Sequence, residues 1–159
     1  MILNYCVTDA DVTEYLSVVT EQECVAVEKL GSGKNTLFSA KPYVLLIDYD
    51  RIFTADAVMR CLNTELTGSK ILYCLFFGRT YKKGYKELAE ALAKEKNLVL
   101  YGNDFLYLDE EGKLKENELY KLRGTAEYIK DFRPFNNNSE SGPVKPFLAR
   151  RGVEALGNK

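Results

Sequence analysis

The chain is 159 residues long, with 46% hydrophobic and 28% charged residues, so it can bury the core of one ordinary domain and is not a disordered chain. With 22 basic and 23 acidic residues the formal net charge is -1, which excludes a protein held to nucleic acid or to a membrane by its overall charge. The chain has no histidine, so Ser-His-Asp and Cys-His catalysis are excluded.

The first elements alternate between apolar strands and an amphipathic helix. Residues 2–7, ILNYCV, predict a short buried strand, and Thr8 or Asp9 can cap the helix that follows. The inward face of that helix is marked by apolar residues at helical spacing, namely Val12, Tyr15, Leu16 and Val19. Residues 24–30 predict a second strand. GSGKN then predicts a hairpin turn into a partner strand, TLFSA. A phosphate-binding loop is excluded there, because Glu28 stands where its first glycine belongs.

The centre of the chain contains two continuous apolar strands. Residues 43–48, YVLLID, form the first, and residues 70–77, KILYCLFF, form the second. Between them Thr54 is placed to cap a helix that Gly68 ends, with its inward face formed by Ala55, Val58, Leu62 and Leu66. A helix over residues 84–96 and a short strand, LVLY, follow. Apolar strands separated by helices predict parallel pairing.

The last part of the folded region is predicted to be a hairpin and a broken helix. Residues 105–108 and those after Lys113 flank the turn DEEG, in which Gly112 can take a positive φ angle. Residues 119–129 predict a helix interrupted at Gly124. The predicted fold class is therefore α/β: a Rossmann-like, mostly parallel sheet with flanking helices and an added β-hairpin over residues 1–132.

Residues 133–159 differ in composition and form a linker and an extended C-terminal tail. NNNSESGP is typical of a linker, and the residues after it carry few apolar side chains. Because such a tail frays in isolation, we expect it to dock on a neighbouring subunit or a partner protein. The predicted partner-binding residues are Phe135, Phe147, Arg150 and Arg151.

Two strands end in pairs of aspartates, which suggests a metal site. Asp48 and Asp50 end the first apolar strand of the centre, and Asp9 and Asp11 follow the strand at the amino terminus. Ligands of open α/β sheets bind beyond the carboxyl ends of the strands, and carboxylates that meet there suit Mg²⁺ or Mn²⁺. Asp9, Asp11 and Asp50 can also be explained as turn or helix-cap residues, which needs no metal.

Basic residues follow the next strand, at the same predicted edge. Arg79, Lys82 and Lys83 come directly after KILYCLFF. The two lysines lie near a helix amino terminus, where the helix dipole disfavours positive charge, and a bound phosphate would explain them. Metal-holding acids beside phosphate-holding bases form the arrangement that phosphoryl-transfer chemistry needs. Solvated lysines remain the simpler interpretation.

The segment LLIDYDRIF, followed by a helix and then KILYCLFFGR, resembles the opening of NYN/PIN-like ribonuclease domains. The first strand of those domains ends in a metal-binding aspartate, so the resemblance implies that Asp48 is the principal ligand, with Asp50 beside it. The later lysine-plus-aspartate segment of the family is missing. The Asp-x-Asp pair is also similar to Toprim and haloacid-dehalogenase-like domains. Cys6 or Thr8 replaces the glutamate of the first, and Ile52 replaces the threonine of the second.

Two functions from different classes follow. The favoured one is a non-catalytic interaction or assembly module, built on a degenerate nuclease-like fold and docking through its tail on a protein partner or a second copy. The alternative is a Mg²⁺-dependent nuclease or phosphoesterase, in which Asp48 and Asp50 are catalytic and hold the metal, Asp9 or Asp11 assists through water, and the basic residues grip phosphate. Nucleic acid is then a possible partner. We expect a cytoplasmic protein without membrane contact, since no signal peptide or apolar span is present; a phage or mobile element would suit as its source.

Overall fold

The computed structural model describes residues 1–30, 34–52 and 63–132. The strands are β1 (Ile2–Tyr5), β2 (Cys24–Ala26), β3 (Asn35–Ser39), β4 (Tyr43–Asp48), β5 (Thr64–Gly68), β6 (Ile71–Gly78) and β7 (Val99–Tyr107). The α-helices are α1 (Ala10–Thr20), α2 (Tyr85–Lys96) and α3 (Leu119–Lys130), and short 3₁₀ turns cover Val27–Lys29 and Glu116–Glu118. No helix in this part of the chain is long and apolar enough to cross a membrane.

The main sheet has five strands in the order β2-β1-β4-β6-β7, and all of its pairings are parallel. The α/β fold predicted from the sequence is therefore confirmed. Each parallel neighbour needs a crossover, and helices α1 and α2 supply two of them. Every residue of β4 is buried, and so is every residue of β6 except Ile71, which explains the unbroken apolar sequence of the two strands.

Both faces of the sheet are covered. Side chains alternate along β4, so Leu45 and Ile47 pack on one face while Val44 and Leu46 pack on the other. The first face is covered by α2 and by Leu66 of β5. The second is covered by α1 and α3, whose inward residues include Leu16 and Leu122. The sheet is thus the middle layer of a three-layer sandwich.

Strands β3 and β5 form a separate, two-stranded parallel sheet, which corrects two predictions. GSGKN does not connect a hairpin, because β3 pairs with β5 and not with β2. Leu66 belongs to strand β5 and not to a helix face, and Gly68 ends that strand. The remainder of the helix predicted from Thr54 lies outside the described residues. The physical reason is that Thr64 and Leu66 alternate with exposed Glu65, a strand period that the helical pattern concealed.

Polar contacts join the small sheet to the main sheet and to helix α2. The Tyr43 hydroxyl donates to the carbonyl of Thr67 at 2.6 Å or to that of Leu37 at 3.1 Å. From the other side, the buried ammonium of Lys96 donates to the Thr64 carbonyl. These bonds satisfy strand carbonyls that a two-stranded sheet leaves without ladder partners.

The carboxyl-terminal third also differs in detail from the prediction. Strand β7 is longer than LVLY and runs through Phe105, so the first arm of the predicted hairpin is part of the main sheet. The DEEG turn forms as expected, with Gly112 at φ +85°, and one antiparallel bridge between Leu108 and Leu114 closes it. Helix α3 continues through Gly124 without a break, because its buried residues on both sides of the glycine pack on the core.

Candidate functional site

The topology of the sheet singles out one crevice. From β1 the chain crosses to β2 on one side, whereas from β4 it proceeds to β6 and β7 on the other side. The strand order therefore reverses between β1 and β4, and ligands of open α/β sheets bind beyond the carboxyl ends of strands at such a switch point. Asp48 is the last residue of β4, so it lies at this position.

Asp48 and Asp50 share one cation, the guanidinium of Arg79. The Nη1 atom of Arg79 lies 3.3 Å from Oδ2 of Asp48 and 3.2 Å from Oδ2 of Asp50. The Asp48 side chain is 1% exposed, and its other oxygen accepts the backbone N–H of Asp50 at 3.0 Å. A buried carboxylate needs a compensating positive charge, and here Arg79 provides it. The prediction that Arg79 reaches the acidic edge is consistent with this geometry, although its contacts are to carboxylates.

Lys82 completes the charge network. Its Nζ atom lies 3.1 Å from Oδ1 of Asp50, and the backbone N–H of Arg79 donates to Oδ2 of Asp50 at 3.1 Å. Partial burial alone raises the pKa of Asp50, but these hydrogen bonds outweigh it and hold the pKa below its ordinary value. The network, Asp48–Arg79–Asp50–Lys82, pairs two carboxylates with two cations and is called the charge network below.

The turn after β7 approaches the guanidinium of Arg79 closely. A Cβ atom at Gly112 would lie 3.2 Å from Nη2 of Arg79 and 3.0 Å from Oγ1 of Thr8. The glycine thus permits the turn to approach the guanidinium closely, in addition to taking a positive φ angle. The guanidinium of Arg79 therefore lies between the turn and the two carboxylates.

Asp9 takes a structural role at the same edge. It is 5% exposed and caps α1 by accepting the N–H of Asp11 at 3.1 Å. Its second oxygen accepts the N–H of Leu114 at 2.8 Å, which ties the DEEG turn to the start of the helix. The cap that the sequence predicted is therefore formed by Asp9 and not by Thr8. Asp11 is exposed in the first turn of α1.

The structure does not bring the four aspartates together as one ligand set. Among residues 1–30, 34–52 and 63–132, no three His, Cys, Asp or Glu side chains are grouped so that they could hold a metal ion. Asp48 and Asp50 do converge, since both contact Arg79. Lys83 is exposed beside Lys82. The predicted partner-binding residues lie outside the described residues, namely Phe135, Phe147, Arg150 and Arg151.

Cys6 is an unusual residue at the switch point that the sequence did not reveal. It follows β1 and has φ +74°, a conformation that non-glycine residues rarely adopt. Burial, assisted by the negative charges of Glu28 and Asp48, raises the pKa of its thiol despite the opposing effect of Arg51. A thiol with a raised pKa is protonated at neutral pH and is a poor nucleophile.

A cleft at the opposite edge of the sheet had no clear signal in the sequence. It has a volume of about 650 Å³ and lies where the carboxyl ends of α1 and α3 meet the loops that precede β4, β6 and β7. Its apolar lining includes Val19, Pro42, Ile71, Val99 and Phe132. Val99, at the start of β7, is 53% exposed, so part of the apolar lining is open to solvent.

No protein-family model, no curated protein and no solved structure matches this chain.

Proposed function

We propose that this protein is a non-catalytic interaction or assembly module, which docks through residues 133–159 on a neighbouring subunit or a protein partner. In this proposal the α/β fold is a degenerate relative of nuclease-like domains, and its acidic edge serves stability. The observation that carries the proposal is the charge network, in which both carboxylates are already paired with basic side chains.

The charge network argues against an open metal site for a physical reason. A divalent cation must compete for carboxylate oxygens with any positive side chain that is already paired with them. Here the Arg79 guanidinium is shared by both carboxylates, and Lys82 takes the remaining oxygen of Asp50. Entry of a metal ion would require Arg79 to move away from the two carboxylates that it contacts. Arg79 thus does the neutralisation that a metal ion would do in an enzyme.

The tail supplies the second part of the proposal. The described region forms a closed three-layer domain, and the residues beyond it combine a linker-like composition with a few apolar and arginine side chains. Aromatic and arginine side chains are enriched where proteins bind one another, which supports Phe135, Phe147, Arg150 and Arg151 as the contact residues.

The experiment compares the full chain with a chain that lacks residues 136–159. We expect the full chain to self-associate or to capture a partner, measured by light scattering coupled to gel filtration, and the shortened chain to be a monomer. Its thermal unfolding, followed by circular dichroism, must show that the domain stays folded. An unchanged mass and partner profile after the deletion would contradict the proposal.

One observation favours a second candidate, a Mg²⁺-dependent nuclease or phosphoesterase. Asp48 lies at the switch point of the sheet, and Asp50 projects to the same side, as the two ligands of a metal would. In that candidate a metal ion would be held by these carboxylates and would activate water, and Arg79 and Lys82 would turn to the phosphate.

Metal titration separates the two candidates. Isothermal titration with Mg²⁺ and Mn²⁺ should detect no site in the wild type if the charge network is structural. Binding at millimolar concentration that is lost in Asp48→Asn but kept in Glu14→Gln, a control at an exposed acid that the enzyme candidate does not use, would favour the enzyme.

A further inference from the structure

The cleft at the amino-terminal edge of the sheet has the properties of a peptide-binding surface. Its volume, about 650 Å³, lies in the range of ligand sites, roughly 300–1,000 Å³. The walls are apolar side chains from several elements, whereas polar groups such as Glu21, Lys41 and Lys130 also line it. An apolar floor with a polar rim is the usual anatomy of a surface that receives one or two apolar anchors.

The tail departs from this cleft. Phe132 lines it, with its ring edge-on to Tyr101 at a centroid distance of 4.8 Å, and it is the last residue that the structure describes. Residues 133–142, RPFNNNSESG, have the composition of a linker, and a chain of this length and type spans roughly 17 Å. Residues 143–148, PVKPFL, follow as the most apolar part of the tail.

We infer that this cleft is the receptor for residues 143–148 of a second copy of the chain. The inference rests on the proposed function and names both the surface and the partner. Pro143, Val144, Phe147 and Leu148 supply apolar groups that match the apolar lining of the cleft, and Lys145 is the one charged residue of the segment. The two prolines fix part of the backbone before binding, which lowers the entropy lost on docking.

Exchange between two copies gives a closed pair. Each tail starts at the wall of its own cleft, so two molecules whose clefts face each other can each place residues 143–148 in the cleft of the other. Such a twofold arrangement is self-complementary and forms two identical contacts. The exposed Val99 at the rim of the cleft would then be covered.

The absence of tryptophan from the chain allows a direct test in the full-length protein. Phe147→Trp introduces a single tryptophan on the tail, which can be excited separately from the tyrosines. We expect its emission to be blue-shifted relative to free tryptophan and to shift back when Val99→Asp is added. Val18→Asp is the control, because Val18 is also an exposed valine, at 68%, and lies outside the cleft lining. A folding defect in Val99→Asp could also change the emission. Ala40→Asp, at an exposed position of the cleft lining, is therefore a second variant in which the emission should shift back.

The mass of the protein distinguishes this inference from the proposed function. We expect a dimer for the wild type, and monomers for Val99→Asp and for Phe147→Asp. A mixture of these two variants should recover association, because one molecule contributes an intact tail and the other an intact cleft.

Every other outcome contradicts the cleft assignment, the exchange of tails or the proposed function. Suppose that the Phe147→Trp protein is a dimer and that neither Val99→Asp nor Ala40→Asp changes its tryptophan emission. The tail would then bind elsewhere, which contradicts the assignment of the cleft but not the proposed function. A blue-shifted emission that responds to Val99→Asp, in a protein that is monomeric at every concentration and captures no partner, would mean that the tail folds back on its own cleft. That result overturns both exchange and the proposed function.

Discussion

The charge network makes Arg79 the residue whose loss should be most informative. In Arg79→Met the side chain keeps most of its length and loses its charge. Asp48, with a side chain that is 1% exposed, would then be a buried carboxylate without a cation, whereas Asp50 would retain Lys82 and the backbone N–H of residue 79. We expect the variant to fold and to be clearly less stable than the wild type.

The magnitude follows from burial and distance. Removing one partner of a fully buried ion pair costs about 3–5 kcal/mol. The Arg79 side chain is 32% exposed and its contacts with Asp48 are 3.3 and 3.4 Å, longer than a strong charged hydrogen bond. Water therefore stabilises part of the Asp48 charge together with Arg79, and we expect a loss of about 2 kcal/mol in the free energy of unfolding.

Urea unfolding followed by circular dichroism measures this loss. The double-mutant cycle of Arg79→Met with Asp48→Asn should give a coupling energy of at least about 1 kcal/mol, since the neutral amide no longer needs the guanidinium. Lys83→Met is the control, because that lysine is exposed at the same edge, and its effect should stay within about 0.5 kcal/mol. A loss below that limit for Arg79→Met, with additive effects in the cycle, would refute the structural role of the network.

Three further predictions concern other parts of the fold. Gly68→Ala should lower stability by at least about 2 kcal/mol in urea unfolding, because Gly68 has φ +88° and a Cβ would lie 2.3 Å from a carbonyl oxygen. Lys96→Met should cost about 1.5 kcal/mol in the same assay, because a buried ammonium would no longer donate to the Thr64 carbonyl, whereas Lys94→Met, at an exposed position, should cost little. Burial, with a smaller effect of Lys41, lowers the pKa of the Met1 amino group from 8.0 to about 6. Unfolded chains then bind more protons between these values, so stability should rise as pH increases from 6 to 8, by roughly 1 kcal/mol after allowance for solvent screening, and amino-terminal acetylation should remove the rise.

Several features could be read from local sequence because one element decides them. The continuous apolar runs of β4 and β6 predicted parallel, doubly covered strands, and the order of strands and helices predicted the layers. The cap at Asp9 and the turn at Gly112 followed from the chemistry of those residues at element boundaries. The same patterns located Asp48 at the carboxyl edge of the sheet.

Other features depend on partners that are distant along the chain. β3 pairs with β5 across an intervening strand, and no local pattern states which strand will be its neighbour. Leu66 matched a helical period, yet its neighbours and the contact with the core made it part of a strand. Gly124 lowers helix propensity by about 1 kcal/mol, which the packing of α3 overrides.

The sequence by itself therefore determined the layered α/β architecture and the edge at which aspartates and basic residues gather. Only the tertiary structure decided what those side chains do there, because charges at the ends of different strands meet at distances that the chain order does not fix. It assigned Asp9 to backbone amides and placed Arg79 between Asp48 and Asp50. The cleft beside Phe132 likewise exists only once the helix ends and strand starts have been packed together.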